Sequence, residues 1–114
     1  MAQAPPLPAI SPELRALAER VQALTEEMIT GENVDDWGRV TAAETERRPL
    51  IHHLVESGFR EEGGEAADEW LRWILEADRQ IMERGGAVLA EMRGEGARIA
   101  HGERAARVYQ ENQD

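Results

Sequence analysis

The stretch Trp70 to Met92, WLRWILEADRQIMERGGAVLAEM, decides the fold. Leu71, Ile74, Asp78, Ile81, Gly85, Val88 and Met92 follow one another at steps of three and four residues. In a helix that spacing lays a narrow seam along one side, the side that packs on other helices. The seam is not wholly apolar. Asp78 sits in its middle, where a carboxylate is costly unless it is paired or hydrated. The spacing predicts a helix from near Ala66 to about Arg93. Gly85-Gly86 interrupts it, each Gly costing on the order of 1 kcal/mol relative to Ala, while Val88, Leu89 and Met92 keep the phase.

Upstream, Trp37, Val40, Glu44, Arg47, Leu50, Ile51 and Leu54 form a second stripe. Asn33 or Asp35 is the expected cap of a helix over 35–56. Pro49 removes a backbone donor inside it and predicts a kink or a split. Ser57 to Gly64 reads as a turn-rich loop. Farther back, Ser11 reads as an N-cap, Pro12 as the first helical residue and Glu13 as suited to the positive helix end. Leu14, Leu17, Val21, Leu24 and Met28 continue the helix over 12–30, closed by Thr30 and a left-handed Gly31. Residues 1–10, with Pro5, Pro6 and Pro8, read as a disordered lead-in. Downstream, Gly94, Gly96 and Gly102 loosen the chain before a weaker helix over 103–110.

The fold class is therefore all-α: a small antiparallel bundle of three main helices plus a weaker C-terminal helix. The bundle spans 11–93 and the segment 94–114 follows it. Leu17, Val21, Leu24, Val40, Leu54, Leu71, Ile74 and Val88 are the expected core. Core packing takes Trp37 and one of Trp70 or Trp73, leaving the other as an exposed anchor for a partner.

Composition narrows the function. A chain of 114 residues is one domain by length. Its formal charge is −10, and its 13 basic residues are all Arg. That balance disfavours direct contact with a nucleic-acid backbone or an anionic membrane surface. There is no Cys, which removes disulfides and thiolate metal sites. No apolar run approaches the roughly 20 residues that membrane insertion requires. Residues 1–10 lack the charge and apolar run of a signal peptide. A cytoplasmic protein is the expectation.

No catalytic constellation emerges. Ser11 and Ser57 read as a cap and a loop residue. His52, His53 and His101 lack the Glu-x-x-His or His-Glu-x-x-His spacing of helical metal sites. The glycine pairs lack the strand context and Lys of a phosphate loop. An enzyme, a cofactor and a metal site are not expected. Glu44, Arg47 and Asp78 carry three readings: an exposed ion pair worth under about 1 kcal/mol, a partly buried network setting the register of the second and third helices, or a polar contact for a partner.

Trp37, then Glu44, Arg47 and Leu50-Ile51, resembles the second-helix pattern of the flagellar export chaperones of the FliT type. Ile74-Leu75-Glu76-Ala77-Asp78, with Ile81, Leu89 and Met92, resembles that family's long third helix. Gly102 to Tyr109 (GERAARVY) is similar to its C-terminal segment. The likeness covers residues 14 to 110. It implies a cytoplasmic type III export chaperone that binds the C-terminal region of the filament-cap protein and contacts the flagellar export ATPase. In some members it also implies binding to the flagellar master transcription regulator and a C-terminal segment folded over the binding surface. A client helix would lie between the second and third helices, with Trp37, Val40, Ile51, Ile74 and Ile81 as the candidate partner-binding residues. Residues 94–114 would cover that surface through Ile99, Val108 and Tyr109. The alternative is a structural or regulatory homodimer in which the same stripes pair with a second copy.

Overall fold

The computed structural model describes the backbone of residues 3–113 and the side chains of residues 3–92. Three helices follow in order: α1 (Pro12–Asn33), α2 (Trp37–Glu56) and α3 (Phe59–Gln113). No strand occurs among the described residues. Side-chain pairs set the topology. Arg20 meets Glu46 and Arg39 meets Glu27, so α1 and α2 run antiparallel. Arg47 meets Asp78 while Trp37 lies on Gly85, so α2 and α3 do too.

Local chemistry explains the helix ends, with three departures from the expected ones. Ser11 caps α1, its hydroxyl accepting from Leu14 N at 3.4 Å. Gly31 does not end α1, which continues to Asn33. A Cβ at Gly31 would come within 2.9 Å of Val40 Cγ2, so this glycine lets the start of α2 approach closely. The turn instead puts Asp35 at a positive φ of 56°, and Asp36 caps α2 by accepting from Arg39 N at 3.1 Å. α2 remains one helix through Pro49. Pro49 and Thr45, whose carbonyl loses its intrahelical donor, are both exposed, so water can serve that carbonyl. The expected loop over 57–64 shrinks to Ser57-Gly58, and α3 starts at Phe59. It bends at Gly64, whose φ of 58° and ψ of −136° suit glycine.

The core has two clusters. One gathers Leu14, Val21, Leu54, Phe59, Trp70 and Ile74. The other gathers Leu24, Met28, Val40, Ala43, Ile81 and Leu89. Both Trp70 and Trp73 are buried, contrary to the expectation that one would be exposed. The bend at Gly64 brings Phe59 edge-on to Trp70, with ring centroids 5.2 Å apart and planes at 63°. Trp70 Nε1 donates to Gln22 Oε1 at 2.9 Å, so its polar tip is satisfied. Leu17 and Leu71 are only half-buried, and Val88 is exposed where burial was expected. A helix of 3.6 residues per turn drifts past a 3.5-residue seam, and about five turns after Leu71 it is Leu89 that has taken the inward place.

Residues 3–10 correct the reading of a disordered lead-in. They form neither helix nor strand, yet Leu7 and Ile10 pack on the first cluster and Pro8 is buried. Arg15 Nη2 donates to Pro8 O at 3.1 Å, and Ser11 N donates to Glu62 Oε1 at 3.0 Å. Residues 94–113 continue α3 instead of forming a separate helix over 103–110. The side chains of Ile99, Val108 and Tyr109, on which docking over the binding surface depends, lie outside those described.

Gly85-Gly86 does not interrupt α3. A Cβ at Gly85 would come within 2.1 Å of the Trp37 ring, so bare backbone is what seats that indole. A Cβ at Gly86 meets only Met82 Cε, at 3.6 Å. Gly85→Ala should therefore destabilise by about 1–3 kcal/mol through overpacking. Gly86→Ala should be neutral or stabilise by up to about 1 kcal/mol through helix propensity. Urea unfolding of the two variants checks the contrast, and equal effects would contradict the packing of Trp37.

Candidate functional site

α2 and α3 diverge over a groove of about 330 Å³. Met28, Ile81 and Leu89 form its apolar base, while Ile51 and Met82 flank it. Glu44, Arg47, Arg48 and Asp78 supply its polar atoms. The helix periodicities create this arrangement. Glu44, Arg48, Ile51 and Val55 share one side of α2, and Leu71, Leu75, Asp78 and Met82 share one side of α3. Leu75 is 67% exposed and Met82 48% exposed. Val55 is also exposed, so apolar surface continues along the helices beyond the groove.

Arg47 lies beneath, with a side chain only 5% exposed. Its Nη1 donates to Thr25 Oγ1 at 3.0 Å, and Thr25 Oγ1 donates onward to Val21 O at 2.9 Å. Its Nη2 donates to Asp78 Oδ1 and Oδ2 at 2.8 and 2.9 Å. One guanidinium thus joins α1, α2 and α3. Arg47 Nε is buried without a hydrogen-bond partner. Glu44 pairs with Arg48 on its own helix. The structure therefore brings Arg47 and Asp78 together, with Glu44 at the edge of the same groove. Thr25 was not singled out in the sequence. Its place beside Leu24, on a stripe otherwise filled by apolar residues, was the available signal.

The candidate partner-binding residues divide. Ile51 and Ile81 line the groove, although Ile81 is itself buried. Val40 and Ile74 are core residues in separate clusters. Trp37 is half-buried on Gly85 and outside the groove lining. Met82, Leu75 and Val55 are the accessible apolar side chains that the stripes did not reveal. They lie one position or one turn away from the inward seam.

Residues 15–111 match the family model described as flagellar protein FliT. The chain belongs to the FliT family. No curated protein and no solved structure matches it. The FliT match covers nearly all of α1 and the whole of α2, and runs along α3 to residue 111, so the groove lies within the family's region. Among the described residues of this FliT-family chain, no helix is long and apolar enough to cross a membrane. No group of three His, Asp or Glu among them is placed to hold a metal ion.

Burial raises the Asp78 carboxyl above its ordinary value of 3.8. Arg47 pulls it back by charge and by hydrogen bonding, and the nearby Glu44 charge pushes it up. The folded chain therefore holds this proton more tightly than the unfolded chain. The contribution to stability is present below pH 3.8 and is lost as pH rises through the raised value. Carbon-detected NMR should find Asp78 titrating above 3.8, and higher still in Arg47→Met. A midpoint below 3.8 would contradict this electrostatic account.

Proposed function

We propose that this chain is a cytoplasmic flagellar export chaperone of the type III apparatus. Its client is an amphipathic helix from the C-terminal region of the filament-cap protein, which it keeps soluble and delivers to the flagellar export ATPase. The observation carrying this reading is an open apolar groove, flanked by exposed Met82 and extended by exposed Leu75 and Val55, in a FliT-family chain. A helix in a groove needs apolar anchors spaced along one face, and α2 and α3 present apolar side chains at such spacing. Binding to the flagellar master transcription regulator would use the same surface, because an exposed helix from either partner asks for the same chemistry. The groove requires no reacting group, in keeping with a binding function.

Calorimetry with the filament-cap C-terminal segment tests the proposal. Ile81→Asp is unsuitable because Ile81 is only 1% exposed and a charge there would disrupt the core. Met82→Asp places the charge on the groove flank instead. Burying a side chain of this kind contributes about 1.5–3 kcal/mol, so the variant should lose about tenfold or more in affinity while melting like the parent. Unchanged affinity would move the binding surface elsewhere. Sedimentation at several concentrations distinguishes the homodimer reading: self-association that Met82→Asp dissolves, with no binding of the cap segment, would favour it.

A further inference from the structure

The base of the groove is apolar, but its mouth is not neutral in hydrogen-bonding terms. Both Asp78 oxygens accept from the same Arg47 nitrogen. A carboxylate can accept about four hydrogen bonds, so capacity remains on Asp78, whose side chain is 35% exposed. Glu44 borders the same groove with a side chain only 17% exposed. One of its partners, Arg48, is 70% exposed, a solvent-facing cation whose bond another cation can replace. Arg47 is not free to compensate further, because Thr25 holds its other terminal nitrogen. Its unpaired Nε is closed to solvent, so an incoming group meets the carboxylates rather than that donor.

A wholly apolar helix laid over this mouth would strip water from Asp78 and return nothing to it, which weakens binding. A helix carrying a donor at that point restores the lost bonds. A cationic donor restores charge as well, and charge-assisted bonds are about twice as strong as neutral ones. The net charge of −10 further favours approach of a basic segment. The raised Asp78 carboxyl agrees with this, since burial outweighs the Arg47 counter-charge.

We infer that the bound segment carries a lysine or arginine within its apolar stripe, placed to reach Asp78 and Glu44 across the mouth of the groove. This inference rests on the export-chaperone reading and adds a specificity element to it. The cation sets the register of the client along the groove, because the carboxylates lie at one level while the apolar surface extends beyond them. An apolar helix without it could slide by a turn, whereas a helix paired at Asp78 is fixed at one position.

The test uses the full chain and the filament-cap C-terminal segment, with each Lys or Arg of that segment replaced singly by Gln. One replacement should weaken binding to the parent chain by about tenfold or more, in line with close charge pairs at interfaces. Against Asp78→Asn the same replacement should cost less than about threefold, because its partner is already gone. Glu44→Gln, at a carboxylate that already pairs with Arg48, gives a smaller change of the same sign. It carries the coupling if Asp78→Asn melts early. Affinity should also fall as salt is raised. Binding that Met82→Asp abolishes, with no replacement coupled to Asp78 or Glu44, would overturn the cation while leaving the groove reading intact. Tight binding of a segment containing no Lys or Arg would do the same. No binding in any arm would overturn both readings.

Discussion

The rest of the structure depends on the guanidinium of Arg47. It lies between the two apolar clusters and is the place where all three helices meet through polar atoms. Thr25, Arg47 and Asp78 come from α1, α2 and α3 in turn. Burying a cation costs several kcal/mol unless its partners are well placed. Arg47 recovers that cost through three hydrogen bonds, and the recovery works only in one register. Sliding α3 by a turn would carry Asp78 about 5 Å along the axis and leave Arg47 without its counter-charge. Apolar seams tolerate slippage because leucine and isoleucine fill similar spaces. The Arg47 layer does not.

Small residues set how closely the helices approach on one side of that layer. Gly31 admits Val40, and Gly85 admits the Trp37 ring, so the start of α2 sits deep between α1 and α3. Near the other end, Gly64 turns the beginning of α3, and Phe59 folds against Trp70. Pro8 covers Gly63, where a Cβ would lie 2.8 Å from its ring. With these contacts made, the inner seam is filled. The adjoining sides of α2 and α3 keep Ile51, Met82 and the polar atoms of Asp78 around an open groove. The groove is thus what remains after the Arg47 layer fixes the register and the glycines fix the spacing.

The helices were legible in the sequence because seam periodicity is a property of neighbours along the chain. Residues on the seam, such as Val21, Leu54 and Ile74, became core as that logic requires. The role of each glycine was not legible. Gly31 and Gly85 look like caps or breaks in one dimension, and only the facing Val40 and Trp37 show them to be points of contact. The accessible surface was harder still. A stripe marks what faces inward, so Val40 and Ile74 were poor candidates for a partner surface. Met82 and Leu75 stand beside the seam, where an apolar residue has no internal use. The polar residues fared differently. Arg47 and Asp78 stood out because they break the apolar stripes, but the hydroxyl of Thr25 drew no attention among the apolar residues of α1.

A double-mutant cycle on Arg47 and Asp78, read by urea unfolding, tests the central claim most directly. Asp78→Leu leaves a buried guanidinium unpaired and should cost on the order of 3 kcal/mol, while Arg47→Met strands a carboxylate that water still reaches and should cost less. Removing both leaves neither charge stranded. The double variant should therefore be at least about 1.5 kcal/mol more stable than the two losses added together would make it. Losses that add to within about 0.5 kcal/mol would show that the two residues do not act as a pair, and would contradict the account of Arg47 as the brace of the bundle.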